Sequence, residues 1–105
     1  MRVELLNATV VSVENRQIKL QNGDTRAMQI VQVSSNGRRG VQLDGVEVWD
    51  ENIERLHLTH GQTLNLTCEA VGRMWGGRFS YTLQAYKAEQ VVKQNQEGGQ
   101  DPFGV

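Results

Sequence analysis

Two short segments hold the residues best suited to chemistry: Arg38 and Arg39 in SSNGRRG (34–40), and Arg73, Trp75 and Arg78 in GRMWGGRFSYTLQAY (72–86). Guanidinium groups are permanent cations that pair with phosphates, and an indole presents a flat face for stacking. The ligand that suits both is anionic and flat. Single-stranded nucleic acid fits, because its phosphates attract the cations while each unpaired base stacks on a ring for roughly 1–3 kcal/mol. Lys19 and Arg26 add cations of second rank, and Trp49 and Phe79 add rings. A purely structural reading competes for every aromatic. Trp75 then becomes a lid on the core, and Trp49, just ahead of a helix, a core or cap residue. Phe79 and Tyr81 share the apolar face with Leu83 and belong mainly to the core, with Phe79 the one in reach of the binding surface.

Other chemistries find little support. Paired carboxylates occur only in the acidic run Asp44, Glu47, Asp50, Glu51 and Glu54, and no nucleophile stands beside a plausible base. The glycines of GRMWGG do not match the phosphate-cradling GxxxxGK[ST] spacing, so neither enzyme activity nor a cofactor is expected. His57 and His60 stand at i, i+3 without a third soft ligand, which argues against a metal site. Cys68 shares the apolar side of Leu64, Leu66 and Ala70 and reads as a small buried hydrophobe. A lone cysteine excludes a disulfide scaffold.

A chain of 105 residues carries one domain with one modest core. No run approaches the ~18 apolar residues of a membrane helix, and the N-terminus lacks the apolar stretch of a signal peptide, so a soluble cytoplasmic protein is expected. Formal net charge is −1, which gives no global pull toward nucleic acid. The distribution is uneven, however. The acidic run contains no Lys or Arg before Arg55, whereas Arg38/Arg39 and Arg73/Arg78 sit in glycine-containing loops without acids between them. If the two loops meet in space, a neutral protein acquires a positive face.

Alternation of apolar residues predicts a first strand from Arg2 to Val13, an interruption at Glu14-Asn15-Arg16, and a resumption over Gln17–Gln21. Asn22-Gly23 then signals a type I′ hairpin, with a second strand over Thr25–Val33. After the arginine loop, a third strand covers Val41–Trp49 and contains Asp44-Gly45, either a bulge or a second tight turn. Asp50 is placed to cap a two-turn helix starting at Glu51, stopped by Gly61. A fourth strand spans Gln62–Val71, the loop Gly72–Gly77 follows, and a fifth strand carries Phe79, Tyr81, Leu83 and Ala85 on one side. Residues 90–105 are rich in Gln and Gly and read as a flexible tail after a domain of residues 1–89.

Three strands, a short helix and two strands give an all-β protein with the element order of the OB-fold, a five-stranded partly open barrel. Its ligands lie across strands two and three, flanked by the loop after strand one and the loop joining strands four and five. Both arginine loops therefore fall where this fold would use them.

The runs VSVENRQIKLQNGDTR, GVQLDGVEVWDENIERL, HGQTLNL and GGRFSYTLQAYK also resemble small single-barrel single-stranded-DNA-binding proteins, including archaeal, replication-protein-A-like and phage-type members. The matching residues are Val48-Trp49-Asp50-Glu51 before the helix, Gly61-Gln62 before strand four and Gly77-Arg78 opening strand five. The resemblance covers roughly residues 5 to 88 and implies sequence-tolerant binding of single-stranded DNA. Bacterial and phage members often end in an acidic tip closing on Pro-Phe that recruits replication and repair proteins. Gly98 to Phe103 resembles such a tip, so Asp101, Pro102 and Phe103 are candidate partner contacts, although Gly104 and Val105 follow and only one aspartate is present.

The expectation is a protein that coats single-stranded DNA in replication, recombination or repair, through Arg38, Arg39, Arg73, Trp75, Arg78, Phe79, Trp49, Arg26 and Lys19. Two alternatives stay open: the same surface serving RNA, and a barrel that assembles with protein partners through the acidic 44–54 face. Homo-oligomerisation through an exposed edge strand is also left open.

Overall fold

The computed structural model describes residues 1–91, apart from the side chain of Trp75. Asp101, Pro102, Phe103 and nearly all of the expected tail lie outside the described residues. Five strands and one helix form: β1 (Arg2–Lys19), β2 (Thr25–Gly37), β3 (Gly40–Trp49), α1 (Glu51–Leu56), β4 (Thr63–Trp75) and β5 (Arg78–Gln90). They close in the order β1-β2-β3-β5-β4, with β4 pairing back onto β1. This closed five-stranded barrel with a helix between β3 and β4 is the OB-fold expected from the element order.

Period-two alternation builds the interior. Val31 and Val33 of β2, Val46 and Val48 of β3, and Leu64, Leu66 and Cys68 of β4 all point inward and are fully buried. Leu56 at the end of α1 and Leu58 just beyond it join the same core, with Ile53 packed against it. A six-residue helix cannot hold itself in water, so this packing keeps it in place. Asp50 occupies the N-cap position but makes no side-chain cap bond, contrary to expectation; its carboxylate accepts from Arg26 instead. The helix also ends early, at His57 in the left-handed region. Gly61 serves a later turn, its N–H donating to the Val10 carbonyl.

Several local expectations give way to ladder pairing. Glu14, Asn15 and Arg16 do not interrupt β1, because each pairs with β2 opposite Ile30, Gln29 and Met28. The bends lie earlier, where register shifts between Leu5 and Ala8 and between Val10 and Ser12. At the first, Asn7 has φ 53° and its N–H donates to Asn65 Oδ1 at 2.8 Å. Such bulges let one long strand wrap around the barrel and pair with two neighbours. Asp44-Gly45 is neither bulge nor turn, since both residues pair in register with Val33 and Gln32. The β1–β2 turn forms at the expected place, but only Gly23 has positive φ, and Leu20 N–H to Asp24 O closes a wider loop than type I′.

The largest difference is at 72–77. Residues read as a loop are strand up to Trp75, which pairs with Arg78, leaving only Gly76-Gly77 as the turn. Both glycines have positive φ, 55° and 80°, as a two-residue hairpin turn requires.

β3 and β5 meet in parallel through just two pairs, Val46–Leu83 and Glu47–Gln84. Because they run parallel, the segments preceding these pairs leave the barrel at the same end. Each remains zipped to its own antiparallel partner, giving a β2–β3 arm ending in Arg38-Arg39 and a β4–β5 arm ending in Gly76-Gly77. At ~3.3 Å per residue, each arm reaches about 20 Å past the parallel pair. The described residues accordingly extend over 60 × 30 × 21 Å.

Candidate nucleic-acid interface

The arms explain how segments far apart in sequence project from the same end of the barrel. Arg38 and Arg39 form the turn of one arm, and Arg73 and Arg78 lie on the strands of the other, where Arg73 pairs with Ser80. All four are exposed. None takes part in the ion pairs found among the described residues, which involve the N-terminus, Arg2, Arg16, Arg26 and Lys87. Of the acidic run, Glu47 to Glu54 sit toward the helix end of β3, away from the arm tips. Asp44, at the base of the β2–β3 arm, is engaged by Gln42 Nε2 at 3.0 Å. The arm tips are therefore cationic and most of the acidic run lies at the helix end of β3, although the sum is near zero.

Phe79 and Tyr81 do not belong to the core. Each is 58% exposed, and the two rings meet edge to face with centroids 4.9 Å apart. They keep the alternation of half-buried Leu83 and buried Ala85, but they stand on the arm beyond the barrel's end, where no opposite wall covers that side. The Phe79 ring lies over Gly72, where a Cβ would approach Phe79 Cζ to 2.8 Å. Met74, opposite Phe79 in the ladder, is 68% exposed. On the neighbouring arm Val41 and Leu43 are exposed at 76% and 70%. Sequence reasoning missed Met74, Tyr81, Val41 and Leu43 as surface residues. The usable signal was Gly76-Gly77: taken as a two-residue turn, it places residues within about four positions of it on a hairpin tip. The backbone of Trp75 pairs with Arg78 at that tip; the expectation for its ring lies outside the described side chains.

Three candidates lie elsewhere. Lys19 pairs with Thr25 at the β1–β2 turn, at the opposite end from the arms. Arg26 is next along β2, its guanidinium carbon 4.5 Å from the centre of the Trp49 ring. It donates through Nε to Asp50 Oδ2 at 2.8 Å and through Nη2 to the same oxygen, and this hydrogen bond raises its pKa above the ordinary arginine value. Trp49 is half-buried on the outside of the barrel, its indole N–H donating to Glu47 Oε1 at 2.9 Å. The structure thus joins Arg26 and Trp49 to each other and not to the arms.

Cys68 is fully buried, and burial pushes its thiol up to about 11, the wrong direction for a nucleophile. His57 and His60 are exposed, and among the described residues no three His, Cys, Asp or Glu side chains gather as metal ligands would.

No protein-family model matches the chain, and no curated protein matches it in sequence. Among solved structures, the chain is similar to the mitochondrial single-stranded DNA binding protein Rim1 of S. cerevisiae, with a TM-score of 0.64 and 12% identity over 87% of this chain and 95% of that one. A small single-stranded DNA-binding protein from Streptomyces coelicolor aligns over 90% of this chain and 97% of its own at 12% identity, with a TM-score of 0.40. At that identity the likeness to the yeast protein shows a shared fold.

Proposed function

We propose that this protein binds single-stranded DNA with little sequence preference and coats exposed strands during replication, recombination or repair. The observation that carries the reading is the gathering of Arg38, Arg39, Arg73 and Arg78 with the exposed Phe79–Tyr81 pair on two arms at one end of the barrel. The name of the similar yeast structure points the same way. Phosphates pair with the arginines, which have no carboxylate to give up among the described residues, and bases stack on the exposed rings. Stacking accepts any base because every base has a π-face, which accounts for sequence tolerance. The acidic residues around α1 repel phosphates, so a strand engages the arm end first.

The test is a fluorescence titration with oligo-dT of about 20 nucleotides at two salt concentrations, with oligo-U and Trp75→Ala alongside. Binding that is tighter than the non-specific range of roughly 10⁻⁴–10⁻⁶ M and weakens with salt supports the reading. Binding confined to that range, or insensitive to salt, overturns it. Tighter binding of oligo-U would assign the surface to RNA.

A further inference from the structure

We infer that Trp49 is a second base-stacking site, which Arg26 and Asp50 hold shut in the free protein and which a bound strand opens. The inference rests on the single-stranded-DNA reading above. Trp49 alternates with inward-facing Val46 and Val48, so it shares the outside of β3 with Glu47, Leu43 and Val41. That outer row runs from Trp49 past Gly45, where nothing lies within 4 Å of a Cβ position, to the Arg38-Arg39 turn, a track of about 30 Å at ~3.3 Å per residue. A strand gripped by the arms can follow it to the indole.

One face of that indole is occupied. The Arg26 guanidinium stacks on it at 4.5 Å, and both of its donors on that side are held by Asp50 Oδ2. Asp50 adopts φ 51°, ψ −120°, a region that non-glycine residues avoid. Its N–H donates to Ala27 O and its carbonyl accepts from Ile53 N–H, both at 3.0 Å. The carboxylate caps nothing; it faces Arg26 instead. Strained backbone that aims one side chain at another is a mark of a functional contact.

The latch is weak enough to exchange. Arg26 and Asp50 side chains are 44% and 32% exposed, and solvated ion pairs and cation–π contacts each contribute little. An incoming phosphate replaces Asp50 on the guanidinium, the guanidinium leaves the ring, and a base takes its place. Short strands then bind the arms alone, and longer strands also occupy Trp49.

Asp50→Asn tests this in the full chain, since asparagine tolerates positive φ and keeps the turn. Glu51→Gln removes a neighbouring charge without touching the latch and corrects for general electrostatics. Oligo-dT of about 4 nucleotides, too short to span the track, and of about 30 is titrated into each protein. The expected result is that Asp50→Asn tightens the long strand by about three- to tenfold more than Glu51→Gln does and leaves the short strand unchanged, the gain being at most one base stack. The Trp49 indole N–H resonance, identified by Trp75→Phe, should shift in DNA-free Asp50→Asn and again when the long strand binds. Wild-type binding with no excess in Asp50→Asn, or an indole resonance indifferent to the long strand, overturns the latch alone. Failure of the wild type to bind either strand overturns the DNA reading and the latch with it.

Discussion

Replacing Phe79 or Tyr81 by alanine distinguishes a barrel wall from a binding face. Truncating a buried aromatic costs about 3–5 kcal/mol, because transfer and cavity terms add. Neither ring is buried here: both are 58% exposed, and their mutual contact is one edge-to-face pair. Such a pair contributes about 0.5–1.5 kcal/mol. Each alanine should therefore lower stability by about 1.5 kcal/mol or less in urea unfolding. If a base stacks on the lost ring, affinity for oligo-dT should fall by about 1–3 kcal/mol, roughly five- to 150-fold in Kd. Fluorescence anisotropy of a labelled oligonucleotide reads the second quantity on the same samples. Tyr81→Phe should keep both, since the ring and not the hydroxyl makes the contact. A stability loss above about 3 kcal/mol would return Phe79 to the core, and unchanged affinity in both alanine variants would remove the rings from the binding surface.

Further outcomes follow from the same geometry. With four arginines neutralising phosphates, the logarithm of affinity should fall with the logarithm of salt at a slope of about −2.8, and the Arg38→Gln/Arg39→Gln double variant should halve it to about −1.4; titrations across a salt series check this, and an unchanged slope contradicts it. Gly72→Ala puts a Cβ 2.8 Å from Phe79 Cζ, so the exposed ring must move; affinity should drop by less than in Phe79→Ala, with little change in the urea midpoint. Cys68 should resist thiol reagents in the folded protein. Its folded pKa is raised from 9.0 to about 11, so the unfolded thiol loses its proton first and stability should decline between those pH values. The decline should be absent from Cys68→Ala in denaturant titrations across that range.

The barrel was legible because its signals are local. The alternation of Leu64, Leu66 and Cys68 needs no knowledge of partners to place one face inward, and Gly23 has positive φ in the turn that Asn22-Gly23 marks. What failed depended on pairing across the fold. Glu14-Asn15-Arg16 looks like a break until β2 supplies its ladder. Asp50 looks like a helix cap until Arg26, distant in sequence, claims the carboxylate. Phe79 and Tyr81 have the parity of core residues, but parity chooses a side of the strand, not what covers it. That the two arginine arms leave the barrel at one end rests on two parallel β3–β5 pairs, and no feature of either segment alone announces it.

The central claim is that single-stranded DNA binds at the arm end of the barrel. Backbone amide shifts of the labelled protein during titration with oligo-dT test it most directly. The account predicts changes concentrated on residues 36–43 and 72–81, the two arms defined by the β2–β3 and β4–β5 ladders. Shifts confined to α1 and the acidic residues beside it, or none at saturating DNA, would contradict it.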